Sequence, residues 1–200
     1  MRDLAKLLPH ATSAPKIDTQ TAIEPLATPL LAAAETHNCD NALLFDARDP
    51  RRLYLWIGSV PDGTSAMFRD LNTHTVDELN LDARRVHGSR NVLVFDESFS
   101  HAVERRVMRE LLTHAFATPT RRRDKRATEP AARHTLHFAW LDGCIWVRAY
   151  RNDGGGGVSG SGGRSNNTDG VRGGAGGGVD PELVHMSEIG PRLVLRPVRI

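Results

Sequence analysis

Nine histidines, 24 carboxylates and several serines beside glycines are the residues of this 200-residue chain equipped for chemistry. Each arrangement fails on spacing. His134 and His137 stand three apart in an apolar, β-prone run, where alternating side chains put the two imidazoles on opposite faces and deny them a shared metal. His37 and Cys39 would share a face if extended, but no third or fourth ligand accompanies them. Asp96-Glu97 precedes a helical period, a place where carboxylates stabilise the helix dipole rather than move protons. Ser89 and Ser159 lie among glycines without the Gly-x-Ser-x-Gly pattern of a nucleophile elbow. The glycine-rich run after Asn152 lacks the Gly-Lys-Ser/Thr of a phosphate-cradling loop. Two distant cysteines, Cys39 and Cys144, form no disulfide framework and point to a reducing compartment. The residues thus describe a chain that is not an enzyme and has no metal site and no cofactor.

Cationic groups are the remaining resource. Net charge is only +2, yet arginine is concentrated in the middle, at Arg84-Arg85, Arg90, Arg105-Arg106, Arg109 and Arg121-Arg122-Arg123-Asp124-Lys125-Arg126. A guanidinium fork can bind two phosphate oxygens at once, although such runs also serve as plain solvated loops. Tyr54, Trp56, Trp140 and Trp146 sit in apolar strands and read as core. Tyr150, beside Arg148 at the open end of a hairpin, is the aromatic retained as a platform for an unpaired base.

The elements that must position these groups follow from periodicity. Asp142-Gly143 separates Thr135–Leu141 from Cys144–Tyr150, a two-residue hairpin that sets Trp140 opposite Ile145, Phe138 opposite Val147 and Leu136 opposite Ala149. His137, Arg148 and Tyr150 then share the other face. Ala42–Ala47 and Leu53–Ile57 read as a second hairpin, with Leu53–Ile57 apolar in both parities as a central strand requires. Val92–Phe95 is a short buried-type strand, and Thr75-Val76-Asp77-Glu78 is a capping box. Val103, Val107, Met108, Leu111, Leu112, Ala115 and Phe116 trace one face of a helix from His101 to Phe116, with Ser98 or Ser100 as its cap. Another helix is expected from Thr28-Pro29 to about Asn38. Residues 1–27 read as an extended arm, and residues 28–200 as the domain proper. Thirteen of the 18 glycines fall between Gly154 and Gly178, so 152–180 reads as a flexible insertion. Arg192–Ile200 alternates as a strand with Pro197 at an edge or bulge. A chain stopping within that strand is expected to be part of a longer parent. No apolar run reaches the roughly 18 residues of a membrane span.

His74-Thr75-Val76-Asp77-Glu78-Leu79-Asn80 and His87-Gly88-Ser89-Arg90-Asn91-Val92-Leu93-Val94-Phe95-Asp96 resemble the central signature of Brix-domain proteins. Glu110-Leu111-Leu112-Thr113-His114-Ala115-Phe116, Asp142-Gly143-Cys144-Ile145-Trp146-Val147-Arg148 and Glu188-Ile189-Gly190-Pro191-Arg192-Leu193-Val194-Leu195 continue the resemblance in order. The opening Leu7-Leu8-Pro9-His10 is similar as well. Phe68–Thr73 fits loosely, His87 stands where lysine is usual, and the glycine-rich stretch replaces a short acidic connection.

The resemblance implies an α/β (α+β) fold of two halves, each similar to the anticodon-binding domain of class II synthetases, with mixed sheets and flanking helices. It implies a nucleolar factor of the nucleus that binds large-subunit precursor rRNA during ribosome assembly. Expected partners are other pre-ribosome assembly factors, including a helical partner factor, and ribosomal proteins, with no membrane. The expected RNA-binding residues are Arg84, Arg85, Gly88, Ser89, Arg90, Arg121, Arg122, Arg123, Lys125, Arg126, Arg148, Tyr150 and Arg192, gripping phosphates rather than reading bases. A protein-binding scaffold with incidental RNA contact, or a small-subunit member of the family, is the alternative.

Overall fold

The computed structural model describes residues 2–14, 26–60, 63–81, 91–118, 134–153 and 185–200. In chain order these form α1 (Arg2–Leu7), α2 (Ala27–Thr36), β1 (Asn41–Asp46), β2 (Leu53–Ser59), β3 (Ser65–His74), β4 (Asn91–Phe95), a 3-10 turn (Glu97–Ser100), α3 (Val103–Phe116), β5 (His134–Leu141), β6 (Cys144–Asp153), β7 (His185–Glu188) and β8 (Arg192–Arg199). The strands make one mixed sheet in the order β1-β2-β3-β8-β6-β5-β4, with β7 pairing the far end of β6. Only β4 and β5 run parallel. Three strands therefore lie on each side of β8.

Local sequence accounts for much of this. Asp142 and Gly143 both take positive φ, 52° and 72°, the pair that a tight hairpin turn needs. The register across it is the expected one, Trp140 to Ile145, Phe138 to Val147 and Leu136 to Ala149. The capping box also forms: Thr75 N–H donates to Glu78 Oε2 at 2.8 Å, and Glu78 N–H donates to Thr75 Oγ1 at 3.2 Å.

The sheet has an inner and an outer face. On the inner face α3 lays Met108, Leu111, Leu112, Ala115 and Phe116 against Leu55, Ile57, Phe68, Phe138, Ile145, Val147, Leu193 and Leu195. Each large apolar side chain so enclosed contributes roughly 1.5–3 kcal/mol before entropy is counted. Phe138 stacks on Phe95 at 4.6 Å and meets Phe116 edge-on at 5.7 Å. On the outer face α2 covers only one end, packing Leu26 and Leu30 on Trp56. That explains why β2 is apolar in both parities: Leu55 and Ile57 point inward, Trp56 outward.

Five expectations change. Thr28 does not cap α2, because Leu26 holds the N-cap position and Thr28-Pro29 lie within the first helical turn. The first residues are no extended arm: α1 and the residue after it bury Leu4, Leu7 and Leu8 in the main core, and Asn91 Nδ2 donates to Leu7 O at 2.8 Å. Ala102, not a serine, precedes α3, and neither it nor Asp96 makes a capping bond; Ser98 and Ser100 belong to the 3-10 turn, and Val103 is 63% exposed. β6 extends through Asn152 and Asp153, which pair Met186 and His185, so the glycine-rich segment starts no earlier than Gly154. It lies otherwise outside the described residues. Finally, β8 is an edge only from Arg196 onward: Leu193–Leu195 sit between β6 and β3. Pro197 pairs only β3, beside a bulge at Phe68, one of the two placements expected of a strand proline.

Candidate nucleic-acid interface

Strand parity places Trp146, Arg148 and Tyr150 together on the outer face of β6, because residues two apart share a side. β5 contributes His137 opposite Arg148 and Ala139 opposite Trp146. β8 contributes Val194 opposite Trp146, with Arg192 and Arg196 two residues to either side. β7 sets Glu188 opposite Tyr150. No described helix packs across this part of the sheet, since α2 covers β1 and β2 and α3 lies on the inner face. The sheet thus presents an arginine- and aromatic-bearing surface about as wide as three strands.

Of the residues expected to bind RNA, Arg148, Tyr150 and Arg192 are brought together here. Arg84, Arg85, Gly88, Ser89, Arg90, Arg121, Arg122, Arg123, Lys125 and Arg126 lie outside the described residues.

The cluster has an internal anion. Arg192 Nε donates to Glu188 Oε1 and Nη2 to Oε2, both at 2.7 Å, a two-bond fork. Arg148 Nε stands 3.9 Å from Glu188 Oε1, and its guanidinium lies 5.4 Å from the Trp146 ring centre. The hydrogen bonds from Arg192 hold the Glu188 carboxyl below the usual range, against the opposing effect of burial. A strand arginine can pair with a carboxylate of its own domain, and Arg192 does so: Gly190, at φ 63°, turns the chain between β7 and β8 so that position 188 faces position 192. Two guanidiniums around one carboxylate still leave the group cationic.

β8 carries a second pair. Arg196 stands directly opposite Arg69 of β3, and Arg69 opposite Tyr54 of β2. Arg69, Arg196 and Trp146 escaped the sequence reading. Parity alone ties Trp146 to Arg148 and Tyr150, but β6 is apolar enough in both parities that the indole read as core.

Other features resolve into structure. Arg105 covers the Trp140 ring at 4.5 Å and Arg109 the Phe95 ring at 5.4 Å, so two arginines of the basic middle serve packing. Asp96 accepts the backbone N–H of Trp140 rather than acting at the start of α3. His134 is buried while His137 lies on the outer face, the opposed arrangement that strand spacing dictates. Among the described residues no three metal-ligating side chains gather.

Compared with known proteins, the chain matches the Brix domain over residues 1–199. It is 39% identical over 150 residues to "Ribosome biogenesis protein BRX1" of Saccharomyces cerevisiae, covering 75% of this chain and 49% of that protein. It is 33% identical over 150 residues to "Ribosome biogenesis protein brx1" of Schizosaccharomyces pombe, covering 75% and 48%. Against the "Ribosome biogenesis protein BRX1 homolog" of Xenopus laevis it is 29% identical over its full 200 residues, 49% of that protein. The chain spans about half the length of the curated relatives it matches.

Proposed function

The chain belongs to the Brix-domain family, and from that premise we propose that it is a ribosome biogenesis factor that holds large-subunit precursor rRNA through its phosphates. The observation that carries the reading is the convergence of Arg148, Arg192 and Tyr150 on a sheet face that no described helix covers. Guanidiniums offer forked donors to phosphate, and Tyr150 offers a ring to an unpaired base. Such contacts hold RNA by shape and charge without reading sequence. The arginines at 84, 85, 90, 121, 122, 123 and 126, with Lys125, add attraction of the same kind. On this reading the factor works in the nucleolus, alongside other assembly factors, a helical partner among them, and ribosomal proteins. It catalyses nothing.

Neutralising about four to six phosphates gives a log–log salt slope near −3 to −5. Titrating the chain with structured large-subunit precursor RNA across a salt series measures it, and a flat response refutes the phosphate mechanism. Arg148→Gln with Arg192→Gln should weaken binding and make the slope shallower by about one per lost contact.

A protein-binding scaffold has its own supporting observation. β4 is an edge strand that leaves Val92 and Val94 41% and 40% exposed. Open edges accept partner strands. Retained partner binding after loss of RNA binding in the double variant separates the two activities.

A further inference from the structure

Two arginines meet in register across the β3–β8 seam, and no described carboxylate pairs with either. Arg69 and Arg196 are direct register partners. Like charges in that position oppose strand pairing. Every described carboxylate near them is committed elsewhere. Asp70, the sequence neighbour of Arg69, opposes Leu195 rather than Arg196 and accepts the Thr73 hydroxyl and the Asn72 N–H. Asp46 holds Arg48 at 2.7 Å, and Glu188 holds Arg192. Neither Arg69 nor Arg196 makes an ion pair with a described residue. The register thus sets two like charges side by side where β8 meets β3, and Arg196 is exposed there.

The position of the pair names what would relieve it. Arg196 and Arg192 share one side of β8, four residues or about 13 Å apart at strand rise. A short run of extended nucleic-acid backbone bridges such a span, and aromatic residues line it: Tyr54 opposite Arg69, Trp146 opposite Val194 between the two β8 arginines, and Tyr150 opposite Glu188. Aromatic rings stack only on bases that are not already paired. We propose that Arg69 and Arg196 form a phosphate-binding pair for single-stranded RNA, continuing the interface across the β3–β8 seam. The inference rests on the rRNA-binding reading and narrows it to an unpaired segment.

The test uses the whole chain and a fluorescent oligouridine of about 12 nucleotides, a length within the usual single-strand site sizes. Anisotropy titrations over a salt series compare wild type with Arg69→Gln, Arg196→Gln and the double variant, and thermal melts run alongside. Each single variant should bind about three- to tenfold more weakly, with the salt slope shallower by about 0.7 per lost phosphate. Melting temperature should hold or rise, because the repulsion is gone. A fall in melting temperature with the loss of affinity would assign the pair a structural role and overturn the proposal. Unchanged affinity in variants of a protein that does bind the probe would overturn it while leaving the rRNA reading intact. No binding of oligouridine or of structured rRNA by wild type would remove both. An oligoglutamate peptide of matching charge serves as the competing ligand: binding of the peptide that the variants lose, with RNA binding untouched, would make the occupant an acidic protein segment instead.

Discussion

Gly190 sets the corner that brings Glu188 to Arg192, and replacing it with alanine tests that geometry. Its φ is 63°, a left-handed conformation that costs an L-residue roughly 1–2 kcal/mol. A Cβ there would meet Leu81 Cδ1 at 3.3 Å, Leu79 Cδ1 at 3.4 Å and Val76 Cγ2 at 3.5 Å. Leucine tips can yield a little, so overpacking adds about 1 kcal/mol. Together these give about 2–3 kcal/mol, which in a chain of this size lowers the melting temperature by about 4–12 °C. Gly63 is the internal control: its φ is 64°, but nothing lies within 4 Å of the added Cβ. Gly63→Ala should lose only the conformational part, about 2–8 °C. Calorimetry on both variants decides the matter. If Gly190→Ala melts no lower than Gly63→Ala, the packing argument for the corner is wrong.

Three further outcomes follow from the same structure. Thr75→Ala removes the oxygen that accepts the Glu78 N–H and should cost about 1 kcal/mol, seen as a shifted urea midpoint with unchanged slope. Glu188 and Asp46 have carboxyls held low by their arginine hydrogen bonds, so the stability they lend is complete above the unfolded carboxylate pKa, about 4.3 and 3.9, and disappears as pH falls through the lower folded values. Glu188→Gln should therefore melt at most about 3 °C lower at pH 7, with the gap to wild type narrowing as pH falls below the unfolded carboxylate pKa; parallel curves would refute the linkage. Asp153 pairs His185, so the 31 residues 154–184 connect adjacent strand ends. Shortening them to about four residues removes roughly three doublings of loop length, about 2 kcal/mol of closure entropy, and melting temperature should hold or rise. A lower melting temperature would show that this segment contributes contacts of its own.

How much the sequence discloses depends on the range of the interaction that decides each element. Asp142-Gly143, the Thr75–Glu78 box and the 3.6-residue period of α3 are settled by neighbours in the chain, and all three form, α3 with Val103 off its buried face. α1 is six residues long, too short to show a period or to hold itself together; it exists because Leu4, Leu7 and Leu8 dock on the core. The interior place of β8 depends on two long-range registers, while Pro197 advertises an edge that begins only at Arg196. The candidate site divides the same way. Parity in β6 exposes Arg148 and Tyr150, but the opposition of Arg69 to Arg196 arises from residues more than a hundred positions apart and a bulge between them. Arg105 and Arg109 show the converse: a basic cluster in the sequence becomes ring packing once α3 is docked.

Crosslinking the tagged protein to RNA in cells, and sequencing what is attached, decides whether this sheet face holds rRNA. Discrete peaks in large-subunit precursor rRNA are expected, with crosslinked peptides from β6 and β8. Peaks confined to the small-subunit precursor, or no RNA above background, would contradict it.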